Sequence, residues 1–127
     1  AAVSLVFGRG QATTVIVNEL MAWYSATPLP LNAEVSSVAG NPLCHASISN
    51  WCKASGKKSS DRGPRCKALT GDVAAQAAMY MNQVLAGTFV PAHPMSEETK
   101  ACYDCHVGGY ADDTLGKMDC KGCHEGH

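Results

Sequence analysis

The sequence predicts a small, mostly α-helical chain with long loops, on three observations. Apolar residues recur at three- and four-residue spacing over 11–24 and again over 71–86, which is the period of an amphipathic helix. Proline, glycine and small polar residues gather between those stretches, as they do in connecting loops. Leu, Ile, Val and Phe together make up only 22 of the 127 residues while the net charge is only −1, so the chain has the charge of a globular protein and little aliphatic mass for a core of its own. The length is that of one ordinary domain, 1–127, with three regions: an N-terminal arm and helix (1–40), a Cys-containing helical region (41–87) and a C-terminal region (88–127).

Residues 3–7 are apolar and β-branched and end at Gly8 and Gly10, so they read as a strand or an apolar arm. Over 11–24, Ala12, Val15, Ile16, Leu20, Met21, Trp23 and Tyr24 form one face of a helix that Pro28 and Pro30 close. A loop of small and polar residues fills 28–40. Asn41 as N-cap and Pro42 as first helical residue predict a second helix, with Gly56 as its stop. Lys57, Lys58, Arg62 and Arg65 lie among Ser, Gly and Pro, a solvated loop or a docking surface for an acidic redox partner. A third helix is expected over 71–86, with Thr70 as N-cap, Asp72 in its first turn and Gly87 just past its end. Val73, Ala77, Tyr80, Met81, Val84 and Leu85 make its apolar face. Ser96 then caps a short helix that begins with Glu97 and Glu98, and a Gly108-Gly109 turn and the start at 112–114 lead to the final segment.

That final region writes Cys-x-x-Cys-His twice, at Cys102, Cys105 and His106 and at Cys120, Cys123 and His124. This is the attachment signature of c-type haem: two thiols bond to the porphyrin's vinyl groups, and the following imidazole is placed to bind iron. The four cysteines also approach a zinc-ribbon spacing, but a ribbon has no use for the two histidines. Two haem c groups are therefore expected, on His106 and His124 as proximal ligands, and 88–127 becomes the haem-attachment region. Only 13 residues separate His106 from Cys120, so the haems are expected to be neighbours, and the fold becomes that of a small dihaem c-type cytochrome with its core built around them. The porphyrins supply the apolar mass that the aliphatic residues lack.

Function turns on the sixth ligand of each iron, because a second side chain makes a carrier and an open position makes a ligand-binding or catalytic site. His93 is a candidate distal ligand, stiffened by the Pro94 that follows it. His45 is another, on the second helix beside Ile48 and Trp51. His127, the last residue, is a weaker one. Met95 and Met118 are thioether alternatives. Two of the three spare histidines complete both irons, which points to bis-histidine haems and electron transfer between redox partners. A haem enzyme or gas sensor with one open iron is the alternative. No Ser-His-Asp set or phosphate loop supports a separate catalytic centre, so no catalytic residue is expected.

Cys44, Cys52 and Cys66 are an odd number, so at least one is free, bonds to another chain or binds a cofactor such as an iron–sulfur cluster. Haem propionates add negative charge to a chain that already carries −1, which argues against a nucleic-acid partner. No stretch approaches the ~20 apolar residues of a membrane span. Haem is attached to such motifs outside the cytoplasmic membrane in bacteria and archaea, so a periplasmic or extracellular protein is expected, and the start Ala1-Ala2-Val3 reads as a mature terminus after removal of a signal peptide.

The run from Cys44 to Cys52, then 65–74 from Arg65 and Cys66 to Ala74, followed by the two haem motifs, resembles the C-terminal half of split-Soret cytochromes c over roughly 41–127. The resemblance implies a dimer with two closely stacked bis-histidine haems per chain and a haem ligand borrowed from the neighbouring chain. It also implies a cysteine-rich helical region that houses a non-haem iron–sulfur centre, onto which Cys44, Cys52 and Cys66 map. The chain departs from that family by lacking its longer N-terminal portion with a Gly-Cys-Ala segment. If the shared ligand follows an open, head-to-tail symmetry, the same chemistry yields an extracellular filament, to which the apolar arm at 3–7 is expected to contribute by adding to a neighbour.

Overall fold

Amphipathic periodicity over 11–24 becomes α2 (Gln11–Ala26), along which Ile16 and Leu20 are buried together with Thr13, Asn18 and Glu19. The structure, a computed structural model, describes residues 1–8 and 10–106, with 103–105 described as helix backbone alone. Five helices follow in order: α1 (Ala2–Phe7), α2, α3 (Cys44–Ser55), α4 (Gly63–Leu85) and α5 (Glu97–His106), with a single 3₁₀ turn at Ser59–Arg62 before α4. The mostly helical architecture with long loops is the predicted one. Helix α2 packs mainly on α4 and is flanked by α1, while the 3₁₀ turn joins α3 to α4.

Three local expectations are corrected. The apolar arm is a helix, not a strand: the Leu5 N–H donates to the Ala1 carbonyl at 3.1 Å, and Val3 is buried by packing against α2. Its backbone groups are engaged within the turn, so strand addition to a neighbour is not available to it in this form. Helix α3 begins at Cys44 instead of at Pro42, because the Asn41 side chain accepts the Leu43 N–H at 2.9 Å and holds 41–43 in a turn. Gly56 closes α3 as expected, with φ of 70° and its N–H on the Cys52 carbonyl at 2.9 Å.

The largest difference is α4, which starts eight residues before the expected Gly71. Pro64 lies in its first turn, where a missing N–H costs nothing. Thr70 does not cap the helix but donates from Oγ1 to the Cys66 carbonyl one turn back, at 2.8 Å. Asp72 accepts the Leu31 N–H at 2.8 Å and so ties the 28–40 loop to α4. Asn50 on α3 holds the other end of that loop, donating to the Val38 and Ala39 carbonyls.

The core of the described residues is thin. Val3, Ile16, Leu20, Leu29, Pro30, Ala39, Trp51 and Leu69 are its buried apolar members, beside six buried polar residues. Along the predicted face of α4, Val73, Ala77, Tyr80, Met81 and Val84 are only half-buried, and Leu85 is 69% exposed. No helix of the described residues is long and apolar enough to cross a membrane.

Candidate functional site

A carboxylate inside an apolar helical face has to find a donor, and Glu19 on α2 finds two on one residue. Its Oε2 accepts the backbone N–H of His93 at 2.7 Å, and its Oε1 lies 2.9 Å from His93 Nδ1. The adjacent Asn18 donates from Nδ2 to the His93 carbonyl at 2.6 Å. The histidine is thus gripped at its backbone N–H, its backbone carbonyl and its ring. The Glu19 side chain is 4% exposed and that of His93 is 51% exposed, so a buried anchor presents an accessible imidazole.

A carboxylate facing Nδ1 favours the tautomer that donates from that nitrogen, in which Nε2 has its lone pair available. No partner is recorded for Nε2 among the described residues. This is the arrangement that orients a metal-ligating histidine, with one nitrogen on an acceptor and the other free for the metal. His93 is therefore suited to an iron's distal position by chemistry that was visible only in part in the sequence.

Helix α5 carries the first Cys-x-x-Cys-His run. Ser96 Oγ accepts the Thr99 N–H at 3.2 Å, and Glu97 and Glu98 stand in the first turn, as predicted. Cys102 and His106 lie four residues apart on this helix, hence on one face, and both are half-buried. The Cys105 side chain, the second motif with Cys120, Cys123 and His124, and also His127 and Met118 lie outside the described residues, as do the turn at 108–109 and the start at 112–114. Met95 is half-buried.

His45 is exposed on α3 and lines a groove of about 870 Å³ with Ile48, Cys52, Lys57, Lys58 and Arg62. Ile48 is on its face, as expected, whereas Trp51 is turned inward and buried. Cys44, Cys52 and Cys66 are free thiols, the first exposed and the others half-buried. The described residues bring no three metal-ligating side chains together, so as placed these cysteines do not fit a three-thiolate centre. The opposite side of α3 meets α4 through Arg65, which is 5% exposed and donates from Nη2 to Ser47 Oγ at 2.5 Å, while its Nε and Nη1 are buried without a partner.

Behind the His93 anchor, Tyr80 on α4 packs edge-on against Phe89, ring centroids 5.3 Å apart. Burial pushes the Tyr80 phenol up; a hydrogen bond with Gln76 opposes the rise, and the Glu19 carboxylate across the α2–α4 interface adds to it. Asn18 and Glu19 are the site residues that sequence reasoning missed. The available signal was Glu19 itself, an acid three residues after Ile16 and four after Val15 in an apolar stripe.

No family model matches the chain. It is 34% identical over 143 aligned residues to the split-Soret cytochrome c of Desulfovibrio desulfuricans, a match that takes in 99% of this chain and 51% of that protein. A solved structure of the split-Soret cytochrome c from the same species, described for its novel iron centre, superimposes with a TM-score of 0.51 at 32% identity, over 88% of this chain and 54% of the other. The chain therefore spans about half the length of the relatives it matches.

Proposed function

The chain belongs to the split-Soret cytochrome c family, and on that premise we propose that it is a dihaem electron carrier with bis-histidine irons. The observation that carries the reading is the Glu19–His93 pair, because a buried carboxylate on Nδ1 of a half-exposed imidazole leaves the other ring nitrogen available to a metal. Cys102 and Cys105 would hold one haem and His106 its iron, and Cys120 and Cys123 would hold the other with His124. His93 would be the second ligand of one iron and His45 the candidate for that of the other, with His127 the weaker alternative. The haems supply reversible one-electron chemistry when bound. The chain's own contribution is to fix His93 in one orientation and tautomer, so that the ligand need not reorganise between oxidation states.

The same reading makes 1–127 one domain with haem attachment confined to 88–127, and places the protein in the periplasm or outside the cell, where such haems are attached. It acts as a carrier instead of an enzyme, since two ligands per iron leave no open position. No chemistry is assigned to an iron centre at Cys44, Cys52 and Cys66. Assembly as a closed dimer or as a filament, with a ligand crossing between chains, is read from the native mass of the holoprotein. The test of function is the resonance Raman spectrum of the oxidised holoprotein: both irons six-coordinate and low-spin supports the carrier, and a standing five-coordinate fraction supports an enzyme or sensor.

A further inference from the structure

Charge is segregated along this chain. Residues 53–67 hold Lys53, Lys57, Lys58, Arg62, Arg65 and Lys67 against the one acid Asp61, a net of +5, whereas 97–127 hold seven acids against three lysines, a net of −4. The fold gathers three of the exposed cations of the positive run at one place, while Lys53 and Lys67 are exposed outside it. Lys57, Lys58 and Arg62 line the groove beside α3 together with Ser59, Ser60 and His45, and no carboxylate among its lining residues opposes them. Asp61 is turned onto its own 3₁₀ turn, where it accepts the Lys58 N–H and the Ser60 hydroxyl, each at 3.2 Å. Arg62 is steadied at the rim by donating from Nη1 to the Ser59 carbonyl at 2.8 Å. The ion pairs recorded among the described residues, Glu19 with His93 and Glu97 with Lys100, lie elsewhere.

We propose that the groove formed by α3 and residues 57–62 is the docking surface for an acidic electron-transfer protein, with His45, the candidate ligand of the second iron, in its wall. The inference rests on the reading of the chain as an electron carrier. A concave set of donors with unneutralised charge focuses the field toward an anionic partner and speeds its encounter. Nucleic acid is disfavoured because the remainder of the molecule is acidic, so only a partner whose negative charge is confined to a patch meets attraction without repulsion. One electron leaves a ferrous haem and reduces the partner's oxidised centre, with no bond formed or broken.

The test uses the intact holoprotein, and plastocyanin, an acidic copper protein, as the probe. The dithionite-reduced holoprotein is mixed with Cu(II) plastocyanin in a stopped-flow instrument, so that Cu(II) becomes Cu(I) as the haem is oxidised. Two variants with equal change of net charge are compared, K57Q/K58Q/R62Q in the groove and K53Q/K67Q/K100Q outside it. The proposal expects the groove variant to lose about tenfold in second-order rate at low ionic strength, the outside variant to lose far less, and the difference to vanish at about 0.5 M salt. Equal losses in the two variants, or no loss, would overturn it. So would a low-salt rise in native mass that the groove variant abolishes, since the occupant would then be a second copy of this chain. Plastocyanin binding is measured separately by calorimetry: binding that needs the groove charges, without haem oxidation, would uphold docking and sink the electron-carrier reading alone.

Discussion

His93 Nδ1 lies 2.9 Å from Glu19 Oε1 while the His93 backbone N–H reaches Glu19 Oε2 at 2.7 Å, so a single buried carboxylate fixes both the ring and the main chain of one loop residue 74 positions away. Replacing Glu19 with Leu removes both acceptors and leaves the N–H to find water. The expected cost is about 1–3 kcal/mol in unfolding free energy, together with, on the proposed ligation, roughly 10–100-fold weaker binding of an iron by His93. Resonance Raman should show a growing high-spin fraction that Glu19→Gln, which keeps an acceptor, produces to a smaller degree. His93→Ala and His45→Ala should each convert one haem to high spin, with added imidazole restoring it. Unchanged spectra in both would remove these two assignments.

The early start of α4 has its own test. Gly71 sits in mid-helix with open space where a Cβ would go, so Gly71→Ala should stabilise the protein by about 0.5–1 kcal/mol. Thr70→Ala should be close to neutral, since Thr70 only bonds back to Cys66. If α4 instead began at Gly71 with Thr70 as its cap, the threonine change would cost about 1 kcal/mol. Urea midpoints of the two variants separate the cases.

Arg65 and Ser47 should respond with opposite signs. The guanidinium is buried with two nitrogens unpartnered, so an apolar side chain of similar length in its place, Arg65→Met, is expected to be neutral or stabilising. Ser47→Ala removes the hydroxyl that the buried cation uses and is expected to destabilise by about 1–3 kcal/mol. Thermal unfolding of both variants gives the comparison. A large loss in Arg65→Met would mean that the guanidinium has an anionic partner beyond Ser47.

Tyr80 predicts an alkaline limit. Its phenol is raised above the ordinary 10.0, chiefly by burial, so the folded chain holds that proton more tightly than the unfolded chain. The resulting stability is complete below pH of about 10 and is lost as the pH rises through the folded-state value. Phenolate absorbance should show one late-ionising tyrosine that is missing from Tyr80→Phe, and the variant's stability should fall less steeply above that pH.

How much of this was legible in the sequence depended on whether a signal was local. The period of α2, the Gly56 stop, the Ser96 cap and the short helix α5 that it begins are each set by a few neighbouring residues, and each is found where it was expected. The arm at 3–7 misled because β-branched residues favour strands in isolation, whereas packing on α2 decides the matter. The Gly63–Pro64 start of α4 was hidden by the surrounding charge and small residues, although proline is at home in a first turn. The grip of Glu19 on His93 joins residues 74 apart, and local spacing carries no information about such a pair. Only the misplaced acid in an apolar stripe hinted that a buried donor existed.

The most direct test is the mass of the intact purified chain after extraction with acidified acetone. If Cys102, Cys105, Cys120 and Cys123 carry two haems through thioether bonds, the colour stays in the protein pellet and the mass exceeds that of the polypeptide by two haems. A colourless pellet with the mass of the bare polypeptide, its pigment gone to the acetone or never present, would contradict the account.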